Sequence, residues 1–219
     1  MKIAEDKTIL DWNELSQKLD IDKDYLWSCA TSFFEKRVNS RYILPIKAIQ
    51  KLNINKGEGF AVVSLQCSLI ETFECFINGW LFFYDNNRYL WENIQQKRAK
   101  YKNDNLNNQR IFKSFFDNFN NDFNGIDGKY FYTNIRCGLL HETQTKNNWL
   151  IKSETPYDLC YQKLGKSHII YRNNLQKKIE QLLKDYQQAL INNTEFRGVD
   201  CKTLRSNFIK KFDHLAKQS

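Results

Sequence analysis

The sequence predicts a mainly α-helical fold carrying one small β insert. Three observations lead there. Apolar residues recur at three- and four-residue spacing through most of the chain, the period of a helix with one buried face. Only two prolines occur in 219 residues, so few positions are barred from helix. One stretch, 149–171, abandons that period for short β-like runs separated by turn chemistry.

Taken in order, Ile9, Trp12, Leu15 and Leu19 give a first helix over about 6–20, with Asp6 or Thr8 as its cap. Leu26, Cys29, Phe33 and Phe34 give a second over 23–39. Asn39-Ser40 loosens the chain, and Pro45 opens a short helix over 46–52, which Gly57-Glu58-Gly59 ends. Residues 60–80 are apolar almost all round and predict the central buried helix. Within it Ser64, Ser68 and Glu71 form a narrow polar stripe. A carboxylate there needs a partner or a proton, unless Glu71 and Glu74 emerge at an exposed end.

Residues 84–110 are rich in Asn, Lys and Arg and read as a solvated excursion, with a helix over Trp91–Tyr101. Ile111, Phe112, Phe115, Phe116, Phe119 and Phe123 give the next helix. Asp127 caps another over 128–141, whose core face is Phe131, Ile135 and Leu139. The insert, 149–171, has β-like runs at 149–152, 157–161 and 168–171, an antiparallel hairpin or three-strand meander. Helices over 173–192 and 200–217 follow, packing back on the bundle. With no repeat or linker, residues 1–219 read as one domain.

The charge balance, 33 Lys and Arg against 25 Asp and Glu, leaves +8. That favours an anionic partner without identifying one. The six cysteines form no CxxC pair, which excludes a zinc ribbon, and they fall at helical apolar positions as core residues. Residues 1–6 have no hydrophobic signal region, and no apolar run approaches the roughly 20 residues of a membrane helix. The expectation is a cytoplasmic protein with no membrane association.

The stretch Asn134-Ile135-Arg136-Cys137-Gly138-Leu139-Leu140-His141-Glu142 sets polar and charged groups inside an apolar helical segment. Metal-free cleavage of RNA needs a base for the 2′-hydroxyl, an acid for the leaving 5′-oxygen, and positive charge on the phosphorane-like transition state. Histidine titrates near neutrality, and arginine holds phosphate oxygens in a fork. Arg136 and His141 are therefore the candidate catalytic residues, with Glu142 and Cys137 beside them in the same stretch as supporting candidates. On an ideal helix the two lie about 140° apart, flanking one face. Gly138 between them allows close backbone approach. One histidine falls short of two proton transfers, so a homodimer pairing two motifs across a groove is expected. The alternative is structural: Arg136 pairs with Glu71 or Glu142, and His141 caps the helix.

Arg136-x-x-x-x-His141 resembles the R-x(4–6)-H motif of the HEPN superfamily of nucleases, and the run Phe131–Glu142 is similar to that of uncharacterised bacterial proteins of this type. The resemblance implies an antiparallel helical bundle, usually dimeric, with arginine and histidine in the active site, RNA as substrate and no cofactor. It also implies a phage-defence, abortive-infection or toxin–antitoxin setting with a partner protein. Glu71 fits the acidic residue this family places on an earlier core helix. Where the family commonly has Asn, Asp or His after the arginine, this chain has Cys137. A catalytically inactive relative that binds RNA or protein is the alternative function.

Lys146, just after the motif, and Arg172 with Asn173, at the join of strand and helix, are the further candidate RNA contacts. Gly165-Lys166-Ser167 is no P-loop, because Cys160 stands where the first glycine is required. His141-Glu142 is no zincin motif, because Thr145 replaces the second histidine.

Overall fold

The computed structural model describes residues 2–52, 57–85, 88–93 and 107–218. The chain is mainly α-helical with small β elements between the helices. Strands β1 (Lys2–Ala4) and β2 (Lys7–Thr8) form a small antiparallel ladder ahead of α1 (Ile9–Ser16). Thr8 caps α1: its hydroxyl accepts from the Asp11 amide at 3.2 Å, and Asp11 accepts from the Thr8 amide at 2.7 Å. Residues 6–8, expected as the start of the helix, are thus turn, strand and cap.

Helix α2 (Trp27–Val38), a π-helical turn (Asn39–Ile43) and α3 (Leu44–Leu52) follow one another without a gap. The loosened chain expected at Asn39-Ser40 is this π turn. Helix α4 (Glu58–Asn78) ends at Gly79, where φ is +67° and a Cβ would meet Asn207 Oδ1 at 2.5 Å. α4 is long and apolar enough to cross a membrane by length and composition, contrary to the reading that no apolar run is, and its most apolar window is 61% buried. Strands β3 (Trp80–Asp85) and β4 (Arg88–Asn93) form an antiparallel hairpin where an excursion was expected. The expected helix at Trp91–Tyr101 is therefore strand at 91–93, and 94–101 lies outside the described residues.

Helix α5 (Asn108–Asn118) leads to α6 (Gly128–Phe131), a second π turn (Tyr132–Arg136) and α7 (Cys137–Glu142). Asp127 caps α6, accepting from the amides of Lys129 and Tyr130 at 2.9 and 3.0 Å. The insert holds β5 (Trp149–Lys152), β6 (Tyr161–Leu164) and β7 (Ser167–Tyr171), in the order β5-β7-β6. β6 and β7 make an antiparallel hairpin, but β5 pairs with β7 in parallel, so the sheet is mixed rather than a meander. Helices α8 (Arg172–Asn192) and α9 (Cys201–Lys217) close the chain, with Asp200 capping α9.

The chain divides into two compact units. The first comprises Met1–Ile43, Phe73–Asn107 and Leu183–Ser219. Its core is aromatic: Trp12 stacks on Phe212, and Phe34 meets Phe73, Phe76, Tyr186 and Phe208. Each fully buried side chain of this size contributes roughly 1.5–3 kcal/mol. Polar groups of this unit go to the end of α4 and to β3: Asn207 donates to the Ile77 carbonyl at 2.7 Å, Lys211 to Trp80 at 2.9 Å, and His214 to Phe82 at 2.8 Å.

Burial holds the His214 pKa below its usual 6.5, against a raising contribution from the Phe82 carbonyl and with Lys211 and Lys217 lowering it further. The unfolded chain therefore binds the proton more tightly than the folded one. Stability is fully present above about pH 6.5 and falls as acid carries the pH below that value. His214→Gln keeps a donor but cannot titrate, so its denaturation midpoint should change less than the wild type's between about pH 7 and 5.

The second unit comprises Leu44–Thr72 and Asn108–Leu182. Phe115, Phe116, Phe119, Phe123 and Phe131 pack edge and face, and Phe131 reaches Trp149 of β5. Ile135 and Leu139 join Phe131 as the buried face of the α6–α7 segment, as the sequence spacing predicts. This core holds the segment bearing Arg136 and His141.

Candidate functional site

The site is built around the π turn at Tyr132–Arg136. The Cys137 amide donates to the Tyr132 carbonyl, five residues back instead of four. One extra residue per turn brings positions five apart onto one side, and such turns recur at functional sites. Tyr132 and Cys137 accordingly act on one another electrostatically. Four residues after Tyr132, the Arg136 guanidinium carbon lies 5.5 Å from the Tyr132 ring centre, in a cation–π contact.

Arg136 is half-buried and makes no ion pair or hydrogen bond with the described residues. The pairing with Glu71 or Glu142 is therefore not what the structure contains. Glu142 instead meets Lys146 at 3.4 Å. Glu71, half-buried on α4, accepts from Asn108 Nδ2 at 3.0 Å. Both Arg136 and Glu71 act electrostatically on Tyr132 and on Cys67, a buried thiol of α4, so these groups share one neighbourhood. Burial first, then the neighbouring Cys137 thiol, push the Tyr132 hydroxyl up to about 12. Burial pushes the Cys67 thiol well above its usual value, with Arg136 pulling it back. Both stay protonated at neutral pH and offer no base.

The chain after α7 doubles back along it. Thr143 enters the left-handed region at φ 54°, and the Gln144 amide donates to the Gly138 carbonyl at 3.3 Å. A Cβ on Gly138 would lie 2.5 Å from the Gln144 carbonyl oxygen, which is why glycine stands there. Asn134 anchors the returning loop. Its carbonyl accepts from the Lys146 amide at 3.0 Å, and its side chain accepts from Asn147 at 2.6 Å while donating to the Tyr130 carbonyl at 2.8 Å. The reversal leaves His141 exposed on the last turn, with Glu142 and Lys146 beside it, and His141 makes no side-chain hydrogen bond with the described residues.

No protein-family model, curated protein or solved structure matches this chain. Its function therefore rests on the residues themselves. Among the described residues, no group of three or more His, Cys, Asp or Glu side chains is placed to hold a metal ion.

The structure brings Arg136, Cys137 and Glu71 together and sets Lys146 against Glu142. It does not bring Arg172 and Asn173 into either group. Arg172 is buried, paired with Glu58 at 3.2 Å, and Asn173 is held by Gln50 at 2.8 Å and Glu154 at 3.4 Å. Sequence reasoning missed Tyr132, Asn134 and Cys67. Tyr132 stands four residues before Arg136, a spacing that signals contact on any helix. Nothing in the sequence marked the anchoring work of Asn134, which depends on where the loop returns.

Proposed function

We propose that this chain is a metal-independent RNA endonuclease of the HEPN type, acting as a homodimer through a composite active site. The observation that carries this reading is Arg136: a half-buried guanidinium, braced on the Tyr132 ring, with no ion pair among the described residues and an exposed imidazole on the same helical segment. An arginine fixed for structure alone would be expected to spend its donors on carbonyls or carboxylates. This one keeps its fork for an external anion.

In the proposed reaction the 2′-oxygen attacks the adjacent phosphorus while the bond to the 5′-oxygen breaks. One histidine removes the 2′-hydroxyl proton, and another delivers a proton to the leaving 5′-oxygen. Arg136 holds the non-bridging oxygens as negative charge grows on them. His141 supplies one proton-transfer group and the partner subunit's His141 the other. The products are a 2′,3′-cyclic phosphate and a free 5′-hydroxyl. Glu71 and Cys137 act by positioning the Tyr132–Arg136 pair, and Lys146 draws the phosphate backbone to the exposed end of α7. The setting is a cytoplasmic phage-defence or toxin–antitoxin system in which a partner protein restrains the enzyme, as the resemblance implies.

Purified protein should cleave RNA in excess EDTA and leave 2′,3′-cyclic phosphate ends. An oligonucleotide with a 2′-deoxy sugar at the scissile position should stay intact there. Cleavage of that deoxy substrate, or strict dependence on Mg²⁺, sinks the mechanism. Salt-sensitive RNA binding with no cleavage would favour the inactive binding module instead.

A further inference from the structure

In the second unit, away from Arg136, a cavity of about 280 Å³ opens where α4 and α8 begin. Its wall includes Gly57, Glu58, Gly59 and Phe60 from the head of α4, Ser153 beyond β5, and Arg172, the first residue of α8. The Arg172 side chain is 9% exposed, and only its Nη2 is bonded, to Glu58 Oε1 at 3.2 Å. Nε and Nη1 are buried and have no hydrogen-bond partner among the described residues. A guanidinium has five donors in one plane, and a single contact to one carboxylate oxygen leaves most of that fork unspent.

Two further features point the same way. Both helices that start at this cavity are 21 residues long and set the positive ends of their dipoles there, with the Asn173 amide already donated to the Ser153 carbonyl at 2.8 Å. Glu58 offsets one charge, but an oxyanion here would meet a guanidinium and two helix heads. Gly59 packs against the guanidinium: a Cβ there would lie 3.3 Å from both Arg172 Nη1 and Ile151 Cγ2, tighter than an ordinary contact, so a larger residue would shift the arginine. The volume is smaller than the ~300–1,000 Å³ of drug-sized pockets, which limits the occupant to a small molecule. Phe60, 41% exposed in the wall, offers a ring face to whatever the anion is attached to.

We infer that this cavity binds a small phosphate monoester, no larger than a mononucleotide, with the phosphoryl group on Arg172 and the attached ring on Phe60. Arg172 then serves this cavity and not the surface that meets an RNA backbone. The inference stands apart from the nuclease reading, since it uses none of the Arg136 neighbourhood.

Titration calorimetry on the full chain with inorganic phosphate, 5′-AMP and adenosine tests it. Phosphate and 5′-AMP should bind saturably, 5′-AMP more tightly, and adenosine should not. Removing Arg172 breaks the buried ion pair with Glu58 and endangers folding, so the informative variants are Gly59→Ala, which presses on Nη1, and Ser153→Asp, which sets a negative charge on the wall. Each should weaken 5′-AMP about tenfold or more, while Arg136→Ala should leave it unchanged. Absence of saturable binding by the wild type overturns the inference. So does adenosine binding as well as 5′-AMP, or loss of binding in Arg136→Ala with Gly59→Ala unaffected.

Discussion

Arg136→Ala should lower the rate of RNA cleavage by about 10²–10³, the usual cost of removing a fixed cationic donor from a charged transition state. His141→Ala should cost about 10²–10⁴ through the lost proton transfer. The double variant should fall little below the worse single variant, because the two residues act in one step. Arg136→Lys keeps the charge but loses the fork and should recover only part of the rate. Neither alanine change removes a hydrogen bond among the described residues, so melting midpoints should move little, and the losses can be read as chemistry. The composite site adds a sharper consequence. Excess His141→Ala protein mixed with a fixed amount of wild type should depress activity as subunits exchange, since a mixed dimer has one imidazole where two are needed. If activity is untouched although exchange is shown by a tagged subunit, each chain works alone and the dimer reading fails. If all variants cleave like the wild type, the site lies elsewhere.

The apolar spacing made the helices readable, because a helix burying one face must repeat at 3.6 residues. Thr8, Asp127 and Asp200 cap α1, α6 and α9, and the first two were visible as cap residues in the sequence. What escaped depends on partners distant in sequence. The run from Trp80 to Asp85 follows the apolar α4 directly, and a short apolar run does not reveal helix or strand by its period alone. Its hairpin signal was the second aromatic-rich run two residues later, at 88–93. β5 pairs with β7 across the whole insert, a choice no local pattern encodes, and so the parallel register was missed. At the site, residue types and spacing singled out Arg136 and His141. The π turn was hidden, since a one-residue slip in helix register leaves the composition unchanged. With it went the brace of Tyr132 under Arg136 and the return of the 143–148 loop onto Gly138 and Asn134.

Arg205→Ala should destabilise the first unit by roughly 3–5 kcal/mol, a large share of the 5–15 kcal/mol typical of a whole domain. Arg205 lies on α9 and is fully buried. Its Nε and Nη2 donate to the Leu190 carbonyl at 3.0 and 2.7 Å, and Nη1 donates to the Ile21 and Lys23 carbonyls at 3.1 and 3.4 Å. Nη2 also reaches Ile191 at 3.4 Å and Asp24 Oδ1 at 2.9 Å, and the guanidinium lies 4.7 Å from the Trp27 ring centre. Leu190 and Ile191 belong to the last turn of α8, whose carbonyls have no partner within the helix and whose dipole favours a cation. One side chain thus serves the end of α8, the 20–24 loop and the start of α2. The ion pair is the smaller part, because the Asp24 side chain is 64% exposed and water screens it. Asp24→Asn should therefore cost less than about 1 kcal/mol, whereas Arg205→Ala strands several carbonyls and opens a void. Arg205→Lys should fall between, since three donors on one nitrogen cannot reach acceptors spread around a planar fork. Denaturant midpoints of the three variants separate these contributions. A cost for Arg205→Ala no larger than that for Asp24→Asn would mean the carbonyls find water when the arginine leaves, and that the buried network contributes little.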